Sequence, residues 1–251
     1  MKNLTEQTAE QLFGAELRSE ADDFIRLNTN TTGEIHEIYL APLEGITGYT
    51  YRRALYQCFG GFDKYFYSLF ILPNQKGHLS TREKKDIMPE NNEGMYAVPQ
   101  ILTKNAEDFI QTAETLQEYG YDEVNLNLGC PSKTVVTKGR GAGFLDRPDE
   151  LDKFLDEIFS KCDMKISIKT RLGMDDPEEF EDLLTIYNKY PLEELIVHAR
   201  VQKDYSKIRH VWKHLGRQWS RQRVRYAITE ILSQQMTVPD YRKCFRPWTA
   251  L

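Results

Sequence analysis

The feature that most constrains this chain is a regular alternation between short apolar runs and longer segments with helical spacing. Ile38-Tyr39-Leu40-Ala41-Pro42 reads as a buried strand ended by proline, Tyr49 to Phe59 as a helix, and Phe62 to Phe66 and Tyr96 to Leu102 as two further strands. Asn105 caps a helix with Glu107 and Asp108 in its first turn, where acids favour the helix dipole, and that helix stops at Gly120. Glu123 to Asn127 is a fourth strand, Pro148 to Phe159 a helix, and Lys165 to Lys169 a fifth strand. Asp176-Pro177-Glu178-Glu179 joins a cap, a proline at the first helical position and two acids, so a helix starts there; Leu195 to His198 is a sixth strand. Strands that alternate with helices at this spacing predict an α/β fold with a parallel sheet.

Two architectures share that pattern. A doubly wound sheet places a glycine-rich dinucleotide turn after its first strand. Here the first strand leads into Pro42-Leu43-Glu44-Gly45, which does not fit that turn. Polar residues instead recur at strand ends: Gln100, Asn127, Lys169 and His198. In a TIM-type (β/α) barrel those ends converge on one mouth, where such folds keep their chemistry. The barrel is therefore the predicted fold, incomplete, with about six of the eight units. The boundaries are an N-terminal extension over 1–36, helical and then a turn-rich linker at Asn28–Gly33, a barrel over 37–206, and a tail over 207–251.

Composition narrows the function. The 251 residues suffice for a sizeable core, and 40% are hydrophobic. The net charge of −5 gives no global nucleic-acid signature. Four cysteines without a CxxC spacing predict neither a zinc site nor a disulfide framework, and no metal is expected. Free thiols fit a reducing, cytoplasmic setting. The apolar runs are too short to span a bilayer, and the N-terminus lacks a secretory signal. A monomer is expected.

Chemistry concentrates after the fourth strand, in Asn127-Leu128-Gly129-Cys130-Pro131-Ser132. A lone cysteine is more often a buried structural residue. A thiol between Gly129 and Pro131 at a strand end is instead presented at the mouth of the sheet. In Ser167-Ile168-Lys169-Thr170-Arg171, strand alternation puts Ser167, Lys169 and Arg171 on the face opposite Ile166 and Ile168. An inward lysine must find an anion or an acceptor. Lys133, Lys138 and Arg140 follow the cysteine in a loop suited to phosphate, or simply to solvent. Gln100, Asn127 and His198 taken singly read equally well as strand-end or core residues.

Together these stretches resemble the tRNA-dihydrouridine synthase family. The resemblance rests on Ala41–Thr47, Gln100-Ile101-Leu102, Asn125–Ser132, Ile168–Gly173 and Val197–Arg200, in the family's order and spacing. It implies an FMN-dependent reductase on a TIM barrel, with FMN reduced by NADPH or NADH, and tRNA as the partner. Uridine becomes 5,6-dihydrouridine, with hydride from reduced FMN and a proton from Cys130. The resemblance further implies that Gln100, Lys169 and His198 contact the flavin or its ribityl chain and that Asn127 orients flavin or base. It puts the backbone of Pro42 and Leu43 at the isoalloxazine edge, and Arg171, Lys138 and Arg140 on the substrate. A flavin reductase of a free pyrimidine is the alternative enzyme, and the Cys130 motif argues against it. An inactive fragment or RNA-binding remnant is the alternative outside enzymes.

The resemblance stops at about Lys207. The family's seventh-strand Asn-Gly-Asp and eighth-strand Gly-Arg-Gly have no counterpart in the basic residues 207–246, so weak or absent FMN affinity is expected. Codon degeneracy allows Tyr226–Leu232, read from the third base of the tyrosine codon, to encode Cys-Tyr-Asn-Gly-Asp-Ile. The tail is therefore expected to be an out-of-frame translation. Reading the nucleotide sequence checks this: codons that do not give Asn-Gly-Asp in the shifted frame refute it.

Overall fold

The computed structural model describes residues 39–43, 45–58, 62–66, 71, 79–205 and 226–229, all within one compact unit, Tyr39–Thr229. The expected N-terminal helix and linker, and most of the tail, lie outside the described residues. Strands and helices alternate: β1 (Tyr39–Leu40), α1 (Tyr49–Cys58), β2 (Lys64–Phe66), α2 (Thr81–Ile87), β3 (Ala97–Val98), β4 (Gln100–Ile101), α3 (Ala106–Glu118), β5 (Glu123–Leu128), α4 (Lys133–Val136), α5 (Pro148–Lys161), β6 (Lys165–Gly173), α6 (Phe180–Tyr187), β7 (Glu194–Val201) and β8 (Tyr226–Thr229).

Every pairing between these strands is parallel, in the order β1-β2-β3 and β4-β5-β6-β7-β8. β3 and β4 are one extended segment interrupted at Pro99, which has no N–H for a ladder. Pro99 still contributes its carbonyl, which accepts from the Asn125 N–H at 2.8 Å. The two ladders thus run on from one another. β8 corrects the expected six strands: Tyr226–Thr229 pairs with Leu195–His198 as a further parallel strand. Its four residues sit in a polar, basic neighbourhood without a clear period, which hid them from the sequence pattern.

The helices start where their caps dictate. Asn105 Oδ1 accepts from the Asp108 N–H at 2.9 Å and opens α3, and Gly120, at φ +90°, follows its end. Asp176 and Glu179 form a reciprocal capping box over a short 3-10 turn, Pro177–Glu179, that leads into α6. Ser80 and Glu83 make the same box at α2, a helix too short and polar for periodicity to show. α3 and α5 cover the outer face of the sheet, with Phe109 and Phe154 edge to face at 6.0 Å. Against them lie the apolar alternate residues of β5: Val124, Leu126 and Leu128 are fully buried.

The inner face is curled. Lys64, at the start of β2, reaches Glu123 of β5 at 2.9 Å and Glu194 of β7 at 3.3 Å. The Tyr39 hydroxyl of β1 donates to Glu194 at 2.8 Å, and the Tyr96 hydroxyl donates to Glu123 at 3.1 Å. Phe66, Val98 and Ile196 pack together, with Tyr39 against them. β2 and β7 are far apart in the strand order, so side chains this close require the sheet to bend round on itself. A floor of buried charge therefore sits at the N-terminal ends of the strands.

Burial opposes the Lys64 charge, but the carboxylates of Glu123 and Glu194 outweigh it and hold the ammonium above its ordinary value of 10.5. A lysine whose folded value is raised stabilises the fold fully below the unfolded value, and that contribution is lost as pH rises through the folded one. Lys64→Met leaves two buried carboxylates without their cation and is expected to cost about 3–5 kcal/mol in urea unfolding. The unaltered chain should also lose stability in strongly alkaline solution by a component that the variant lacks. A variant as stable as the parent refutes the role given to this lysine.

Candidate active site

The C-terminal ends of the strands hold a polar ladder. β5 turns Glu123, Asn125 and Asn127 inward, and β6 turns Ser167, Lys169 and Arg171 to the same side; the register pairs Asn125 with Ser167 and Asn127 with Lys169. Gln100 Nε2 donates to Asn125 Oδ1 at 2.7 Å, Asn127 Nδ2 donates to Gln100 Oε1 at 2.7 Å, and Asn125 Nδ2 donates to Ser167 Oγ at 3.0 Å. All four side chains are buried, and the chain of bonds fixes their orientation.

Asn127 is the hinge between ladder and thiol. Its Oδ1 accepts the N–H groups of Gly129 and Cys130 at 3.0 and 2.6 Å. The turn after β5 is thereby closed by a side chain, and Cys130 is set at its apex with 8% of its surface exposed. The loop above presses on it. The Ala142 N–H donates to the Cys130 carbonyl at 3.1 Å. A Cβ on Gly141, whose φ is +54°, would stand 2.8 Å from that carbonyl oxygen and 3.1 Å from the Cys130 Cβ.

Arg171 ties this turn to the end of β7. Its Nε donates to the Gly129 carbonyl at 2.7 Å, Nη1 to Val201 at 3.0 Å and Nη2 to Tyr205 at 2.9 Å. Gln202 adds a bond to the Pro131 carbonyl at 3.1 Å. Burial, then the neighbouring Arg200, lowers Arg171 to about 10. The guanidinium expected on substrate is thus engaged with three carbonyls and acts on the geometry of the thiol turn.

Lys169 is different. Among the described residues its ammonium makes no hydrogen bond and no ion pair. Burial, and then the Arg171 charge, push it down to about 8, and Cys130 lies within electrostatic reach of it. The inward face at this level therefore carries cations (Lys169, Arg171, Arg200) beside a thiol. His198, buried on β7, pairs in register with Arg171 of β6.

The remaining expected residues are less convergent. Pro42 is half-buried and Leu43 is 41% exposed. The Leu43 N–H donates to Thr47 Oγ1 at 2.9 Å, and its carbonyl accepts from Ile46 and Thr47, so both of its backbone groups are taken up by the turn after β1. Lys138 is exposed and Arg140 half-buried on the loop above the thiol. Sequence reasoning placed Ser167 on the face of Lys169 and Arg171 without giving it a role, and it did not single out Asn125 as a site residue, although the alternation of β5 turns Asn125 inward with Asn127. Among the described residues, no group of three or more His, Cys, Asp or Glu is arranged to hold a metal ion. No helix among them is long and apolar enough to cross a membrane.

Gly141→Ala puts a Cβ against the backbone of Cys130 in a left-handed conformation and is expected to cost about 1–3 kcal/mol in denaturant unfolding. A neutral effect refutes the tight seating of this loop on the thiol.

The family model for dihydrouridine synthase (Dus) matches residues 39–226, past the point at about Lys207 where the resemblance was expected to stop. The tRNA-dihydrouridine(20/20a) synthase of Vibrio cholerae is 34% identical over 119 residues, 46% of this chain and 36% of that relative. A probable tRNA-dihydrouridine synthase of Staphylococcus aureus is 31% identical over 116 residues, 46% of this chain and 35% of that relative. The matched segment thus spans about a third of the length of these curated relatives. With three-quarters of its length under the family match and a thiol turn braced over a parallel polar ladder, this chain belongs to the dihydrouridine synthase family.

Proposed function

We propose that this chain carries the catalytic barrel of an FMN-dependent reductase that converts uridine in tRNA to 5,6-dihydrouridine. The observation that carries the reading is the juxtaposition of Cys130, braced by Asn127 and Arg171, with the unpartnered inward ammonium of Lys169. The contacts across the curled sheet support a TIM-type barrel, whose mouth is where these side chains meet. A half-buried cation that has no acceptor among the described residues fits an anionic heterocycle edge such as that of reduced FMN. Bound FMN, reduced by NADPH or NADH, would supply hydride to carbon 6 of the uracil.

The chain's own residues do the rest. Cys130 delivers a proton from its thiol to carbon 5, and solvent restores that proton afterwards. A thiol that carries its proton when reduced FMN and the base are in place can act as the acid. Lys169 holds negative charge at the heterocycle edge. Gln100 and Asn127, locked to each other, keep the floor of the site in one arrangement, and His198 lines it from the next strand. The uracil must leave the RNA stack to reach a thiol this buried.

The test is dihydrouridine formation in unmodified tRNA by the FMN-loaded chain with a reduced nicotinamide dinucleotide. Cys130→Ala is expected to lose about 10²–10⁴-fold. Undiminished turnover in that variant removes Cys130 as the acid, and no product from the loaded parent overturns the reading. Lys169 also sets a pH dependence. Its ammonium is present below about 8 and lost above, so FMN affinity should fall as pH rises through that value. Lys169→Met should bind FMN more weakly than the parent, whatever the parent's own affinity, and without that pH dependence. A titration showing the same fall in the variant refutes the assignment.

A further inference from the structure

A second cluster of cations stands outside the thiol site. Gly139, buried and at φ +66°, lies between two long basic side chains. A Cβ built on it would stand 3.4 Å from Lys104 Nζ and 3.7 Å from the Arg147 guanidinium carbon. The two come from separate segments, Lys104 from the loop after β4 and Arg147 from the residue that opens α5. Lys138 and Arg140 flank Gly139 in the chain. Among the described residues the balancing charge is slight: Arg147 makes one exposed pair with Glu150 at 3.3 Å, and neither Lys104 nor Lys138 makes an ion pair. Arg140 Nε is buried and has no hydrogen-bond partner among the described residues, so a donor there awaits an acceptor.

Cations gathered around a bare backbone position attract an anion. The absent side chain at Gly139 leaves room between the two cations. The site's position selects the anion. The loop that carries Lys138, Gly139 and Arg140 continues into Gly141 and Ala142, which rest on Cys130. A base turned into the mouth toward that thiol leaves its flanking phosphates outside, at the level of this loop.

We propose that Lys104, Lys138, Arg140 and Arg147 form a phosphate-binding site around Gly139 that holds the RNA backbone beside the base presented to Cys130. The proposal rests on the reductase reading and adds to it the residues that grip the substrate's backbone.

The experiment is equilibrium binding of tRNA to the full chain over a series of salt concentrations, for the parent, Lys104→Gln, Arg147→Gln, the double variant and Arg147→Lys, with FMN affinity measured in parallel. Each glutamine substitution should weaken tRNA binding and lower the slope of log K against log salt by about one, the double variant by about two. Arg147→Lys should keep the parent's slope, and FMN affinity should not move. The proposal is overturned by unchanged slopes, by a parent whose tRNA binding is absent or independent of salt, or by a loss that affects FMN equally. Binding with these slopes but without dihydrouridine formation would leave this site standing and remove the reductase reading. Product formation with unaltered slopes would do the reverse.

Discussion

The rest of the structure depends on the buried contact of Lys64 with Glu123 and Glu194. It joins the second strand of one ladder to β5 and β7 of the other, and so holds the strands in a curl. Removing three charges from water is costly, and two carboxylates outnumber the single ammonium. Two phenols offset the imbalance. Tyr39 donates to Glu194 and Tyr96 to Glu123, and both rings lie 5.6 Å from the ammonium, in range for a cation–π contribution. The contact sets position as well as stability. Without the curl, the inward residues at the opposite strand ends would lie along a flat edge and could not share a site.

Floor and mouth are opposites in charge. The floor is net acidic and closed by its own partners. The mouth is basic, with Lys169, Arg171 and Arg200 facing a thiol, and it leaves one ammonium without a partner among the described residues. Between them the amides of Gln100, Asn125 and Asn127 are linked by two bonds to one another and are otherwise engaged by Ser167 and by the Gly129 and Cys130 N–H groups. Polar residues that satisfy each other make a rigid wall, and the unsatisfied one marks where a ligand belongs. Arg171 shows how the two roles divide: it faces the mouth, yet it is spent on Gly129, Val201 and Tyr205, and so fixes where Cys130 stands.

Much of this was legible in the chain. Strand alternation assigned the inner face of β6 correctly, because a period of two leaves no freedom once one face must be buried. Asn105, Pro148 and Asp176 marked the starts of helices because backbone N–H groups at those ends need acceptors, or a residue that lacks the donor. α2 and β8 were not legible: seven and four residues respectively are too few to show a period. The break at Pro99 was hidden because proline keeps its acceptor and lets the ladder continue on one side.

The sequence by itself determined which residues face inward, where the helices begin and that a thiol would stand at a strand end, since each follows from local backbone geometry and the period of burial. Only the tertiary structure decided which of those inward groups are free. Arg171 and Lys169 are two residues apart on one strand and both cationic side chains, yet one is consumed by three carbonyls and the other has no partner among the described residues. That difference comes from the carbonyls that other loops bring to Arg171 and not to Lys169, and such long-range proximity leaves no mark in local spacing.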